Sequence, residues 1–289
     1  MKSYIILEED RKLTFELNKF VFPGGEVGIR ILNSEKVIEA TTEYKGDIEC
    51  YIDVKLKNSN DILELLMLKD AIDRLVPDLA GKNRVHYYLN MLYVPYGRQD
   101  RVCAPGESFS LKVFTDLINN LNFDKVIVAD AHSNVTTTLL NNVVEISQLD
   151  KFKEVVPQEI IDQVDLLISP DLGASKKTTA ISNFIEKRVI SAEKERCKDT
   201  GNIINTRVHA DLDELKGTTV LIPDDIIDGG RTLVELTKIL KEIFDVKTVY
   251  VYVTHGIFSR GTNYLFDNGI DSIFTSDSFN TLADAPADA

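Results

Sequence analysis

Short, almost wholly apolar runs alternate along this chain with longer stretches whose apolar residues recur every three or four positions. From Ser59 to Leu75 the apolar positions 62, 63, 65, 66, 68, 72 and 75 share one broad helical face, opened by the cap candidates Ser59, Asn60 and Asp61. Leu233 to Phe244 carries apolar residues at 233, 236, 239, 240 and 243 and predicts a second helix. Ser108 to Leu121 and Ser175 to Ile185 are also expected to be helical. Between these segments Met91–Tyr96, Val126–His132, Leu166–Asp171, Val220–Ile222 and Thr248–Thr254 predict buried strands. Strands alternating with helices at this spacing imply parallel sheets made of βαβ units. Two such sets in succession predict an α/β chain of two similar halves. The expected domains are 1–150 and 151–289, split between Gln148 and Val156.

The chemistry sits where the apolar runs end. Met91–Tyr96 runs straight into Gly97-Arg98-Gln99-Asp100-Arg101, Val126 onward ends in Asp130-Ala131-His132, and Leu166 onward ends in Asp171. Thr248 onward closes on His255-Gly256. The carboxyl ends of strands are where α/β sheets place ligands. The densest such end is Thr219–Leu233, in which Asp224 and Asp225 are expected to leave a strand just ahead of Asp228-Gly229-Gly230-Arg231-Thr232. Backbone amides freed by Gly229 and Gly230 at a helix N-terminus favour an anion such as phosphate. Two carboxylates beside them can accept hydrogen bonds from vicinal hydroxyls, so the stretch suits a sugar phosphate. The absence of Gly-Lys-Ser/Thr here rules out a Walker loop. Val189–Arg196 leads into a polar stretch through Asn205 with few apolar anchors, which predicts a mobile flap. Phe20–Glu26 has the Pro and Gly of a β-turn, and the polar tail 277–289 is expected to fray.

Composition narrows the partners. At 289 residues, 44% hydrophobic and 27% charged, the chain has the make-up of an ordinary globular protein, with no apolar run near the ~18 residues of a membrane span. No secretory signal is visible. Cys50, Cys103 and Cys197 form no metal-ligand spacing, which points to the reducing cytoplasm. A net charge of -13 disfavours nucleic acid and anionic membrane as partners. A nucleotide would need counter-charge from Mg²⁺ and a few local Lys and Arg.

Taken together and in order, these segments resemble the ribose-phosphate pyrophosphokinases, or PRPP synthetases. Pro95–Arg101 resembles their Arg-Gln-Asp loop on the adenine side, Asp130-Ala131-His132 their Asp-x-His element, and Ser169–Gly173 their Ser-Pro-Asp-x-Gly strand end. Val253–Ser259 resembles their Thr-His-Gly segment, and Asn58–Asp61 with Glu64 onward their first-domain helix. The resemblance implies two tandem domains of phosphoribosyltransferase type, each a mostly parallel sheet flanked by helices. It implies transfer of the β,γ-diphosphate of Mg-ATP to an anomeric hydroxyl. On that basis Phe22, Glu26, Arg98, Gln99, Asp100 and His132 are expected to bind ATP, and His132 and Asp171 to serve Mg²⁺. Asp224 and Asp225 would hold ribose hydroxyls, and Asp228, Gly229, Gly230, Arg231 and Thr232 the 5′-phosphate. Lys194, Arg196 and His132 would be catalytic, the two cations closing over the departing AMP. The Phe22–Glu26 turn matches one that completes a neighbour's ATP site, so a homodimer or higher homo-oligomer is expected.

The chain departs from the family at Gly24, where the adenine turn has an acid, and at Arg231, where the phosphate loop has a small residue. Ribose 5-phosphate is the expected acceptor. Arg231 keeps open a larger ribose 5-ester such as ADP-ribose, because it could pair with a second phosphate. A simple phosphoribosyltransferase would share the paired acids and the glycine loop, and a non-catalytic, synthetase-associated regulatory subunit would share the fold.

Overall fold

The computed structural model describes residues 1–7, 11–75, 84–170, 175–196 and 203–285. It divides into two compact units, Met1–Glu145 and Ile146–Ala289, which are taken in turn. Among the described residues no helix is long and apolar enough to cross a membrane.

The first unit contains β1 (Lys2–Ile6), β2 (Lys12–Thr14), β3 (Leu17–Val21), β4 (Val27–Ile31), α1 (Ser34–Glu43), β5 (Ile48–Asp53), α2 (Ser59–Leu75), β6 (Val85–Asn90), α3 (Ser110–Asn119), β7 (Lys125–Ala129) and α4 (Asn134–Leu139), and β8 (Val143–Ile146) closes it. Its sheet runs β2-β1-β5-β6-β7-β8, with β5, β6 and β7 parallel and β1 antiparallel to both neighbours. Strands β3 and β4 form a separate antiparallel ribbon. Helix α2 begins where its sequence predicts. The N–H groups of Asn60 and Asp61 donate to Asn58 Oδ1, and those of Lys57 and Asn58 donate to Asp61 Oδ2, at 2.7 to 3.2 Å. Its apolar face buries Ile62, Leu65, Leu68 and Ile72 against the sheet.

The second unit contains α5 (Gln148–Val155), α6 (Gln158–Ile161), β9 (Leu166–Ser169), α7 (Ser175–Ile185), β10 (Val189–Arg196), β11 (Ile203–Val208), α8 (Leu212–Leu215), β12 (Thr219–Ile227), α9 (Arg231–Glu242), β13 (Thr248–Gly256), α10 (Asn263–Asp267) and β14 (Ser272–Thr275). Its sheet runs β11-β10-β9-β12-β13-β14, parallel from β10 to β14 and antiparallel only at the β10–β11 edge. Val220, Ile222, Val249, Val251 and Val253 are buried within it and form one core with Leu233, Leu236 and Leu240 of α9. Near-continuous β-branched runs of this kind are what a sheet covered on both faces needs.

Four expectations change. The apolar run Met91–Tyr96 is not a strand; β6 lies just before it. Met91 and Val94 are buried as loop residues, and Tyr96 at φ 63 has a backbone no strand can take. The strand ahead of the phosphate loop does not stop at Ile222, since β13 is long enough to pair β12 through Asp224, Ile226 and Ile227. Part of the polar stretch after Arg196 is also strand, because β10 supplies a ladder to Ile203–Val208, with Glu195 opposite Asn205. Finally, the tail is packed as far as Asn280, with Ser278, Phe279 and Asn280 buried.

Candidate functional site

In the first unit, two loops leave the carboxyl edge of the sheet side by side. Just after β7, Asp130 is buried with φ 41, and the next amide, Ala131 N–H, donates to Glu145 Oε1 at 2.8 Å. The 95–101 loop is a tight coil in which Gly97 N–H bonds Val94 O and Gln99 N–H bonds Tyr96 O. Leu111 N–H bonds Gln99 O and ties the loop to α3. A Cβ at Gly97 would lie 3.5 Å from His132 Cβ, so the two loops touch there. Asp100 is buried and accepts from Arg101 Nε at 2.9 Å. Its carboxyl is held below the ordinary value of 3.8, chiefly by Arg101, with Ser133 and His132 adding to the effect against the cost of burial. The structure therefore brings Asp100 and His132 together, with exposed Arg98 and Gln99 on the same loop.

The β3–β4 ribbon carries the adenine-turn candidates. Phe22 N–H bonds Glu26 O and Gly25 N–H bonds Phe22 O, each at 2.8 Å, with Gly25 at φ 93. The tip is apolar and open, Val21 being 64% and Phe22 54% exposed.

In the second unit the loop 228–232 joins β12 to α9. Asp224 and Asp225 sit half-buried on paired strand, so their carboxylates are carried by a rigid element, and Asp225 N–H donates to Asp224 Oδ1 at 2.9 Å. Gly230 caps α9 in the left-handed region at φ 70. A Cβ there would lie 2.2 Å from Leu265 Cδ2, so only glycine fits the close approach. Arg231 opens α9, and its Nε donates to Glu235 Oε1 at 2.8 Å with the side chain 65% exposed. Glu235, with a smaller contribution from Tyr264, holds the guanidinium above its ordinary value.

Near the end of β13, His255 is buried, with Nδ1 2.8 Å from Ser278 Oγ. That hydroxyl donates its one proton to Thr254 O at 2.8 Å, so it accepts from His255, which makes Nδ1 the protonated nitrogen. Ser276 Oγ also donates to Thr254 O, and Asn280 N–H bonds Gly256 O. The tail thus buttresses the strand end beside the loop.

Residues 158–286 match the model of the phosphoribosyl transferase domain. A ribose-phosphate pyrophosphokinase of Pyrococcus furiosus is 28% identical over 90% of this chain and 85% of its own length. One of Thermococcus kodakarensis is 27% identical over 90% of this chain and 84% of its own. The crystal structure of phosphoribosylpyrophosphate synthetase from Mycobacterium smegmatis superposes with a TM-score of 0.75 at 19% identity, covering 96% of this chain and 85% of that one, and bears on the fold. Over most of its length the chain is thus similar to ribose-phosphate pyrophosphokinases, and its second unit matches the phosphoribosyl transferase domain.

Of the residues expected to act, Arg98, Gln99, Asp100 and His132 stand at one edge of the first unit. Asp224, Asp225, Asp228, Gly229, Gly230 and Thr232 stand at one edge of the second. Lys194 and Arg196 lie on β10, opposite Thr206 and Ile203 of β11. Asp171 lies outside the described residues. Two features gave no signal in the sequence: the buttress 276–280, which looks like any polar tail, and Arg260, whose side chain lies against Gly229.

Proposed function

We propose that the chain transfers the β,γ-diphosphate of Mg-ATP to the anomeric hydroxyl of ribose 5-phosphate, releasing AMP and forming PRPP. The observation that carries this is the similarity to proteins named ribose-phosphate pyrophosphokinase across 90% of the chain, which takes in the motifs of both units. Arg98, Gln99 and Asp100 serve ATP, as do Phe22 and Glu26 of the ribbon. Asp224 and Asp225 accept from the ribose hydroxyls while the amides of 228–232 receive the phosphate. Lys194 and Arg196 meet the charge that develops on the transferred group, the kind of contact on which phosphoryl transfer depends.

Mg²⁺ fits the donors present. It keeps most of its waters and takes one or two protein ligands plus substrate phosphate oxygens. His132 is exposed at the strand edge, and Asp100 beside it stays ionised well below neutral pH. On this reading His132 would supply a protein ligand to the ion, which neutralises phosphate charge when bound. Among the described residues no group of three His, Cys, Asp or Glu could hold a metal unaided.

ADP-ribose loses its motive, because Arg231 is paired along its own helix with Glu235 and faces solvent. The test is to incubate the chain with ATP, Mg²⁺ and either ribose 5-phosphate or ADP-ribose, and to quantify AMP and the product mass. PRPP and AMP in equal amounts from ribose 5-phosphate support the proposal. AMP release with ADP-ribose alone, or with neither acceptor, removes it.

A further inference from the structure

We infer that Arg260, rather than Arg231, is the cation that receives the acceptor's phosphate, an inference that rests on taking 224–232 as the acceptor site. The segment that carries it is fastened to that loop by its backbone. Ile257 N–H bonds Ile227 O at 2.7 Å and Ser259 N–H bonds Asp228 O at 3.2 Å, while Gly261 N–H turns back onto Phe258 O at 2.9 Å. Phe258, at φ 53, is wholly buried and anchors the turn. Arg260 itself is exposed, and its side chain runs along Gly229. A Cβ at that position would meet Nε at 3.3 Å, Cδ at 3.4 Å and Cγ at 3.6 Å. The arginine stem therefore passes within van der Waals reach of the loop at Gly229.

The charges agree with this placement. Asp224, Asp225 and Asp228 are gathered at this end of β12, and a phosphate dianion brought beside them needs a local cation. Arg231 is committed to Glu235 at 2.8 Å. Arg260 forms no ion pair among the described residues; its guanidinium carbon lies 5.6 Å from the Tyr264 ring centroid, which orients the planar fork without neutralising it. A guanidinium fork matches two phosphate oxygens at once, a geometry an ammonium cannot reproduce.

The test compares wild type, Arg260→Ala and Arg260→Lys in two measurements: saturation kinetics with ribose 5-phosphate and ATP, and calorimetric binding of ribose 5-phosphate without turnover. Arg260→Ala should raise both KM and Kd for ribose 5-phosphate by about ten- to a hundredfold, the size of a lost charge-assisted contact, with kcat and the KM for ATP within about twofold. Arg260→Lys should recover part of the loss. A change below about twofold in both KM and Kd for Arg260→Ala overturns the inference, as does a loss confined to kcat or equal for ATP. If wild type binds ribose 5-phosphate in an Arg260-dependent way yet releases no AMP, the proposed reaction fails and this inference stands. If wild type does not bind ribose 5-phosphate, both fail.

Discussion

Replacing Gly230 by Ala should strain the phosphate loop in two separable ways. The residue sits at φ 70, where an L side chain costs ~1–2 kcal/mol. The new methyl would also fall 2.2 Å from Leu265 Cδ2, and Leu265 is fully buried in the second unit's core, so the overlap must be relieved by repacking at ~1–3 kcal/mol. The sum is roughly 2–5 kcal/mol, and at ~2–4 °C per kcal/mol for a unit of this size the thermal midpoint should fall by about 4–20 °C. Circular-dichroism melts of Gly230→Ala, Leu265→Ala and the double variant separate the two parts. Leu265→Ala alone should cost ~2–5 kcal/mol by leaving a cavity. The double variant should then be more stable than the sum of the singles predicts, by the ~1–3 kcal/mol of relieved overlap, with the backbone share remaining. The KM for ribose 5-phosphate should rise in Gly230→Ala, because the amides of 229–232 are re-aimed. A Gly230→Ala melt within about 0.5 kcal/mol of wild type, or strict additivity with Leu265→Ala, would refute the reasoning.

Arg231→Thr should alter the KM for ribose 5-phosphate by less than about twofold, since it loses only an exposed pair on its own helix; a tenfold rise in parallel saturation curves would return Arg231 to the acceptor. Lys194→Ala should lower kcat by about two orders of magnitude or more with the KM for ATP nearly unchanged, and equal losses in both would mean that Lys194 serves only ground-state binding. Ser278→Ala should cost about 1–3 kcal/mol in urea unfolding, because the buried His255 Nδ1–H loses its acceptor, while Thr254 O keeps Ser276. Asp100 is stabilised as the carboxylate, so its contribution is present above its ordinary 3.8 and is lost as pH falls below that value. Melts at decreasing pH should therefore show wild type losing its advantage over Asp100→Asn below about pH 4, and parallel curves across that range would count against the Arg101 contact.

The alternation of apolar runs with helical faces was enough to place α2, α7, α9 and β13 close to their observed ranges, because their burial depends on local periodicity alone. The end-of-strand chemistry was legible for the same reason: an apolar run that stops at acids and glycines marks a sheet edge wherever the rest of the chain lies. What the sequence left open depends on pairing. Whether Asp224 and Asp225 belong to loop or strand is decided by how far β13 extends beside them. Val85–Asn90, rather than the more apolar Met91–Tyr96, is the strand because β5 and β7 offer it hydrogen-bond partners on both sides. Residues 276–280 have no periodicity to announce them, and they are held by polar contacts to Thr254, His255, Gly256 and Ile257. The two arginines make the same point. Arg231 stands out in the sequence because it interrupts the glycine loop, yet helical spacing commits it to Glu235 four residues on. Arg260 is far from that loop in sequence, and only the backbone bonds from Ile257 and Ser259 to Ile227 and Asp228 bring it against Gly229.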